Sequence, residues 1–388
     1  MAPVARRAEG RDRAAVTRLR VGVLFGGRSG EHEVSLASAA SVVAALERGG
    51  HAVVPIGIAR DGRWLVGGDP LRALAAEARS GAPAADAAGA VKNALATRAE
   101  GAGGATHTAL ARVESSAGLP AEIRQAVDVV VVMLHGPYGE DGTIQGLLEL
   151  AGIPYTGAGV LASAVGMDKI TMKTIFRAHG LPIVDFVVVE RRDWRKDPAT
   201  VSRRVADTLG FPCFVKPANL GSSVGISKVA TAATLPAALD EAARHDRRIV
   251  VEQGLTVREI EVSVLGNDDP LTSLPGEIVY TSEWYDYATK YAEGQARLVV
   301  PAPVPPEVTA RLRELAVAAF RAIDCAGMAR VDFFLEGDRI LVNEINTIPG
   351  FTATSGYARM WEATGLDYVA LVDRLIQLAL ERHREKNS

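Results

Sequence analysis

The sequence predicts an α/β domain followed by two smaller α+β units, and three observations support this fold class. A β-rich run at residues 19–25 leads into a glycine turn at 26–30 and then into helical spacing at 34–46, which is how an α/β unit begins. Residues 127–134 are nearly all β-branched, as in a strand that is buried on both faces of a parallel sheet. From Gly157 onward, shorter strands and helices alternate as in an α+β unit.

The remaining elements follow from the same patterns. Residues 51–58 form a second strand of the first domain, and the Ala- and Gly-rich stretch 66–120 predicts helices with a variable surface excursion. Further predicted elements are a helix at 163–178, strands at 184–189, 211–216, 225–229, 249–252 and 259–265, and a closing helix at 368–381. We predict a disordered N-terminal extension (1–19), a first domain (20–157), a second (158–250) and a C-terminal one (251–388).

Size, charge and cysteine content exclude several classes of protein. At 388 residues the chain can form two or three domains. Its 43 basic and 46 acidic side chains give a net charge of −3 without a basic block, so we expect a small-molecule partner and neither nucleic acid nor a membrane surface. No apolar run is long enough to cross a bilayer. The only cysteines, Cys213 and Cys325, form no C-x-x-C pattern, and we expect a protein of the reducing cytoplasm.

A turn near the C-terminus brings oxygen-bearing side chains together. Two strand-like runs, 329–335 and 339–346, flank Glu336-Gly337-Asp338. A three-residue hairpin loop predicts these pairs: Leu335 with Arg339, Arg330 with Glu344, and Asp332 diagonal to Glu344. Four side chains then share one face of the ribbon: Arg330, Asp332, Glu344 and Asn346. Two carboxylates and an amide suit Mg²⁺ or Mn²⁺ rather than zinc, so the ribbon is predicted to hold a metal-bound triphosphate.

The alternative for this ribbon is a surface hairpin with a solvated row of charges. A ribbon exposed to solvent on both faces would not carry so many apolar side chains. They are Phe333, Phe334 and Leu335 on one strand and the run 340–342 on the other.

A glycine-rich turn at 216–225 packs hydroxyl groups and backbone N–H groups beside Lys216, which suits it to cover phosphates. The turn does not match the Walker pattern G-x-x-x-x-G-K-[ST], so it is not a P-loop. Gly221-Ser222-Ser223-Val224-Gly225 also matches the nucleophile elbow of hydrolases, but an elbow leads into a helix and a strand is predicted here. A plain glycine hairpin is the remaining alternative.

Two further segments are candidates for nucleotide and substrate contacts. The runs 250–253 and 258–262 place Glu252 and Glu259 at neighbouring strand ends, where carboxylates can accept hydrogen bonds from an adenine amine or ribose hydroxyls; solvated charges are the alternative. Residues 283–294 place four aromatic side chains among charged ones. Such a loop is typical of a lid rather than of an ordinary exposed loop.

Six motifs in order along the chain closely resemble those of D-alanine–D-alanine ligases of the ATP-grasp superfamily. They are Glu31-His32-Glu33-Val34-Ser35, residues 135–142, Met167-Asp168-Lys169, the 216–225 turn, residues 327–332 and residues 343–352. The resemblance covers about residues 20–380. It implies a Rossmann-like preATP-grasp domain followed by a two-lobed ATP-grasp fold, with ATP clamped between the lobes.

The resemblance also implies roles for individual residues. Nucleotide contacts would come from Lys169, Lys216, Gly221, Ser222, Ser223, Val224, Glu252, Glu259 and Lys290, and two Mg²⁺ ions, or Mn²⁺, would bind Asp332, Glu344 and Asn346. Substrate and catalytic groups would be Glu31 for the first ammonium, His135 near the first substrate, Ser355 for the second carboxylate, Arg330 and the Gly350 N–H for the oxyanion, and a Tyr291–Ser222 contact from lid to site.

The implied activity is the joining of two D-alanine molecules for peptidoglycan synthesis through an acylphosphate, by a homodimer. A ligase that joins D-alanine to D-lactate or D-serine stays open, as do another ATP-grasp carboxylate–amine ligase, a G-x-S-x-G hydrolase and a non-catalytic nucleotide-binding module. The binding module is disfavoured because it could dispense with Arg330 and the three metal ligands.

Overall fold

The computed structural model describes residues 18–80, 113–115, 119–221, 225–280 and 296–388. These residues form three β-sheets flanked by helices. Several predictions concern residues outside these ranges: the N-terminal extension up to residue 17, much of the stretch 66–120, the tip of the glycine-rich turn (222–224) and the aromatic loop (281–295). No described helix is both long enough and apolar enough to cross a membrane.

The first sheet has the strand order β4-β3-β2-β1-β5. Its elements are β1 (Arg20–Gly26), α1 (His32–Arg48), β2 (Ala52–Ile58), β3 (Trp64–Val66), α2 (Pro70–Ser80), β4 (Val113–Ser115), α3 (Ala121–Ala126), β5 (Val129–Val132) and α4 (Thr143–Ala151). Strands β2 and β5 both pair parallel to β1, and all four residues of β5 are buried. The predicted buried parallel strand at 127–134 is therefore confirmed.

The second sheet is antiparallel, with the order β6-β9-β7-β8. The elements of this part of the chain are α5 (Val160–Met167), α6 (Lys169–Ala178), β6 (Phe186–Glu190), α7 (Arg191–Lys196), α8 (Pro198–Leu209), β7 (Cys213–Pro217), β8 (Ser227–Val229), α9 (Leu235–His245) and β9 (Arg248–Gln253). Apolar side chains of α8, α9 and the strands form its own core.

The prediction of a single helix at 163–178 is wrong, because the helix is interrupted at Asp168. Asp168 has an extended backbone (φ −93°, ψ 99°), and its carboxylate accepts a hydrogen bond from the Thr171 N–H. An aspartate in this position caps the start of a new helix. The break makes Lys169 the first residue of α6.

The third sheet has the order β13-β12-β10-β14-β15, with β11 beside β10. Its elements are β10 (Arg258–Gly266), β11 (Leu271–Thr272), β12 (Gly276–Tyr280), β13 (Ala296–Val299), α10 (Pro306–Ala322), β14 (Gly327–Glu336), β15 (Arg339–Asn346), α11 (Gly356–Thr364) and α12 (Tyr368–Lys386). Helices α5 and α6 share the core of this sheet, whereas α12 packs on α1 and β5 of the first domain. The domain boundaries stay predictions.

The predicted register of the β14–β15 hairpin is wrong. Glu336 pairs with Arg339 and Leu335 with Ile340, so the loop has two residues, and Gly337 takes a left-handed conformation there (φ +58°). A bulge at Asn343 then shifts the pairing again.

The pairs beyond the bulge determine the site. Arg330 lies opposite Asn346 rather than Glu344, and Asp332 lies directly opposite Glu344 rather than diagonal to it. The two one-residue shifts add to two, which is the period of a strand, so all four side chains remain on the predicted common face.

Candidate active site

A cleft of about 1050 Å³ lies between the first domain and the second and third sheets. That volume accommodates a nucleotide together with small substrates. Eleven predicted site residues line it: Glu31, His135, Lys169, Lys216, Gly221, Glu252, Glu259, Arg330, Glu344, Asn346 and Gly350. Asp332 and Ser355 are not on this lining. Ser222, Ser223, Val224, Lys290 and Tyr291 lie outside the described residues.

A buried group of two lysines and one glutamate lies beside the second sheet. The Glu252 carboxylate is 2.7 Å from Lys216 Nζ through Oε2 and 3.0 Å from Lys173 Nζ through Oε1. Lys173 also donates a hydrogen bond to the Asn343 carbonyl at the bulge (3.1 Å). Sequence reasoning missed Lys173, although it follows Lys169 by one helical turn and so lies on the same face of α6.

The charge states of Glu252 and Lys216 follow from the balance between burial and the neighbouring charges. Burial alone would raise the pKa of Glu252, but the Lys173 and Lys216 ammonium groups lower it to about 2. Burial alone would lower the pKa of Lys216, but the Glu252 carboxylate outweighs burial and raises it. Glu252 therefore stays a carboxylate and Lys216 a cation throughout the physiological pH range.

Lys169 connects the glycine-rich turn to the ribbon. Its Nζ donates to the Leu220 carbonyl (2.6 Å), and its backbone N–H donates to the Ala218 carbonyl (3.0 Å). The same Nζ lies 3.9 Å from Glu344 Oε2. An ammonium group therefore stands between the turn predicted to cover phosphates and the carboxylate predicted to hold metal.

Arg330, the cation of the ribbon face, is held by two carboxylates. Its Nε and one terminal nitrogen donate to the two oxygens of Asp332, at 2.7 Å each, and Nε lies 3.3 Å from Glu261 Oε1. Although burial opposes it, the charges of Asp332 and Glu261 raise the pKa of Arg330 well above its ordinary value. Glu261 was not predicted as a site residue, but it lies directly opposite Asp332 in the sheet.

The three predicted metal ligands share the ribbon face without forming an all-carboxylate cluster. Asn346 Nδ2 donates to Asp332 Oδ2 (3.0 Å), so both Asp332 oxygens have protein partners, whereas Glu344 and Asn346 reach the cleft. Among the described residues, no three His, Cys, Asp or Glu side chains are grouped as a metal site. The predicted set has only two carboxylates, and its hard oxygen donors suit Mg²⁺.

Glu31 and Glu140 lie together at the end of the cleft formed by the first domain. Glu140 Oε1 accepts a hydrogen bond from the Gly136 N–H (2.8 Å). Burial and the adjacent Glu31 carboxylate raise the pKa of Glu140 to about 8. Glu140 is thus mostly protonated at neutral pH, and the pair carries less negative charge than two carboxylates would.

His135 lines the cleft, but the protein engages both ring nitrogens. Nδ1 lies 3.0 Å from the Ile348 carbonyl oxygen, and Nε2 lies 3.2 Å from Ser38 Oγ. Burial lowers the pKa of His135, so the ring is neutral. Ser355 likewise has an internal partner, because its hydroxyl donates to the Thr352 carbonyl (2.8 Å) just before α11.

The local structure does not support the hydrolase alternative. Strand β8 follows the glycine-rich turn, whereas a nucleophile elbow leads directly into a helix.

Three sheets around a cleft of lysines and carboxylates define a protein of the ATP-grasp class. Family models described as D-ala D-ala ligase N-terminus and D-ala D-ala ligase C-terminus match residues 20–158 and 175–377. The chain therefore belongs to the D-alanine–D-alanine ligase family.

Individual relatives agree with this placement. Proteins named D-alanine--D-alanine ligase are 50% identical in Pseudarthrobacter chlorophenolicus (94% of each chain covered) and 48% identical in Heliobacterium modesticaldum (94% of this chain, 96% of the relative). The solved D-alanine-D-alanine ligase of Coxiella burnetii matches with a TM-score of 0.75 at 37% identity, covering 95% and 96%. The VanG D-Ala:D-Ser ligase of Enterococcus faecalis matches with a TM-score of 0.75 at 32% identity, covering 93% and 99%.

The buried charge group gives a stability prediction. Glu252→Gln removes the carboxylate that pairs with two buried lysine side chains and should lower the free energy of unfolding by about 3–5 kcal/mol. The folded-state pKa of about 2 lies below the ordinary value, so this stabilisation is present above about pH 4.3 and is lost as the pH falls towards 2. Urea unfolding at pH 7 measures the difference.

The matched control for this change is Glu241→Gln on α9, where a half-exposed carboxylate pairs with Arg244 and His245. That change should cost less than about 1 kcal/mol. Equal losses in the two variants would contradict the charge arrangement described for Glu252.

Proposed function

We propose that this chain is an ATP-dependent ligase that joins two D-alanine molecules into D-alanyl-D-alanine for peptidoglycan synthesis. The observation that supports it most is the common lining formed by Lys169, Arg330, Glu344 and Gly350 in one cleft. These groups supply a phosphate-binding cation, a metal ligand and two donors for a developing oxyanion. Relatives at 48% and 50% identity bear the name of this activity.

In the first step, a carboxylate oxygen of one D-alanine attacks the γ-phosphorus of ATP. The bond between that phosphorus and the bridging oxygen of ADP breaks, which yields an acylphosphate and ADP. Two anions must approach each other, so cations are needed around the transferred group. Lys169 and Lys216 lie on the cleft lining and would supply this positive charge, and the Glu252 carboxylate raises the pKa of Lys216. Glu31 would bind the ammonium group of this substrate.

In the second step, the amine of another D-alanine attacks the acyl carbon. The resulting tetrahedral intermediate carries an oxyanion, loses a proton from nitrogen and expels phosphate. Fixed donors lower this barrier because they are already oriented when the charge develops. The bonds to Asp332 use two of the five N–H groups of Arg330, and Arg330 lines the same cleft as Gly350. Ser355 would bind the second carboxylate.

We further propose that Asp332, Glu344 and Asn346 hold Mg²⁺, or Mn²⁺, when ATP is bound. The donor set fits, because carboxylate and amide oxygens from one face of the ribbon suit a hard ion that keeps positions for phosphate oxygens. A bound divalent ion would neutralise charge on the transferred phosphoryl group. Asp332 already fixes Arg330, so one carboxylate would serve both the metal and the oxyanion donor.

The main competitor is a ligase with a different second substrate. A D-Ala:D-Ser ligase shares the fold at 32% identity, but the relatives named D-alanine--D-alanine ligase are more similar at 48% and 50%. Tyr291, which the resemblance associates with dipeptide formation, lies outside the described residues, and its role stays a prediction. We propose D-alanine as both substrates.

Product analysis tests the activity. With ATP, Mg²⁺ and D-alanine, the protein should release phosphate and form D-alanyl-D-alanine in equal amounts, and L-alanine should give little of either. When D-serine and D-lactate are added at neutral pH, mass spectrometry should still find D-alanyl-D-alanine as the main product. A mixed product in excess would reassign the second substrate, and phosphate release that does not depend on D-alanine would refute the proposed ligase.

Replacement of Glu344 tests the metal proposal. Glu344→Gln should lower kcat by on the order of 10³, because uncompensated phosphate charge raises the barrier by about 4 kcal/mol. It should also weaken Mn²⁺ binding to the nucleotide-bound protein, followed by electron paramagnetic resonance. Asp338→Asn, in the exposed turn of the same hairpin, is the control and should change neither quantity. A well-folded Glu344→Gln protein with normal turnover would remove Glu344 from the site.

Two finer expectations are also proposals. Family likeness supports a homodimer, which light scattering of the purified protein would test. The need for ATP supports a cytoplasmic site of action, which cell fractionation would test.

A further inference from the structure

The segment that contains Gly350 is held by side chains of the first domain. We call residues 347–353 the Gly350 loop; it continues the chain after β15. Phe351 N–H donates to Ser38 Oγ (3.3 Å) and Ala353 N–H donates to Ser41 Oγ (3.0 Å). Ser38 and Ser41 are three residues apart on α1 and so lie on the same face of that helix.

Ser38 also connects the loop to His135. The Ile348 carbonyl can only accept a hydrogen bond, so its contact with His135 Nδ1 (3.0 Å) assigns the proton to that nitrogen. Nε2 must then be the acceptor for the Ser38 hydroxyl (3.2 Å). The Ser38 oxygen therefore donates to His135 and accepts from Phe351 at the same time.

These contacts anchor the peptide units on both sides of the one that carries the Gly350 N–H. His135 holds the carbonyl of the Ile348–Pro349 peptide, and Ser38 holds the N–H of the Gly350–Phe351 peptide. Between them, the Pro349 ring fixes its own φ, whereas Gly350 has wide backbone freedom. No described residue accepts a hydrogen bond from the Gly350 N–H, so its direction depends on the flanking anchors.

We propose that Ser38 is a positioning residue for the second step, because it fixes the direction of the Gly350 N–H through Phe351 and His135. Ser38 is fully buried and does not line the cleft, so it acts without touching substrate. The inference rests on the proposed function, since that function gives the Gly350 N–H its role as an oxyanion donor.

Ser38→Ala tests this role. Loss of both hydrogen bonds should lower kcat by about 10- to 100-fold, since a small misplacement of a catalytic group has effects of that order. The KM for ATP should stay within about twofold. Affinity for a dipeptide analogue with a phosphinate in place of the reacting carbonyl should fall by the same factor as kcat, because the analogue carries the oxyanion of the tetrahedral intermediate.

Ser35→Ala is the matched control. Ser35 lies on the same helix and is equally buried, but its hydroxyl bonds Gly26 N–H (2.7 Å) and the Met133 carbonyl within the first domain. It should lose comparable stability and keep kcat and phosphinate affinity within about threefold. Ser41→Ala removes the other contact of α1 with this loop, at a partly exposed site. It should lower both quantities in the same direction by a smaller factor, and it provides the test if Ser38→Ala does not fold.

The outcomes separate this inference from the proposed function. If the unsubstituted protein makes D-alanyl-D-alanine but Ser38→Ala and Ser41→Ala retain full kcat and phosphinate affinity, the positioning role is overturned and the ligase assignment stands. The inference also fails if Ser35→Ala and Ser38→Ala lose kcat equally. An unsubstituted protein that forms no dipeptide would overturn the proposed function itself.

Discussion

The candidate site depends on the register of the β14–β15 ribbon. The bulge at Asn343 sets Asp332 opposite Glu344 and Arg330 opposite Asn346, and it presents the Asn343 carbonyl to Lys173. The chain leaving β15 continues into the Gly350 loop, so the same register sets where that loop begins. A shift by one residue would turn the acidic face into the core and the apolar face into the cleft.

The site also requires that the negative charge of its carboxylates be neutralised. Glu252 is matched by two lysines, Arg330 lies between Asp332 and Glu261, and Glu140 is mostly protonated. Each arrangement removes net negative charge before a triphosphate approaches. Lys169 and Glu344 line the cleft. Lys169 lies between the glycine-rich turn and Glu344 of the ribbon, where phosphoryl transfer is proposed.

The sequence predicted the parts of this site that follow from local periodicity and motif order. The common face of Arg330, Asp332, Glu344 and Asn346 needed only alternation along two strands. The exact pairs did not follow, because loop length and a bulge depend on the packing of the whole sheet. Lys173, Glu261 and Ser38 were missed for a related reason: each contacts side chains or backbone groups that are distant in sequence, and only the folded chain brings them together.

The proposed reaction requires ATP to activate a D-alanine carboxylate as an acylphosphate. The most direct test supplies D-alanine labelled with ¹⁸O in both carboxyl oxygens and follows the label by mass spectrometry. Attack of a carboxylate oxygen on the γ-phosphorus predicts one ¹⁸O in each phosphate released and one retained in the new peptide carbonyl. Phosphate that forms in step with dipeptide but contains no ¹⁸O would contradict the acylphosphate route.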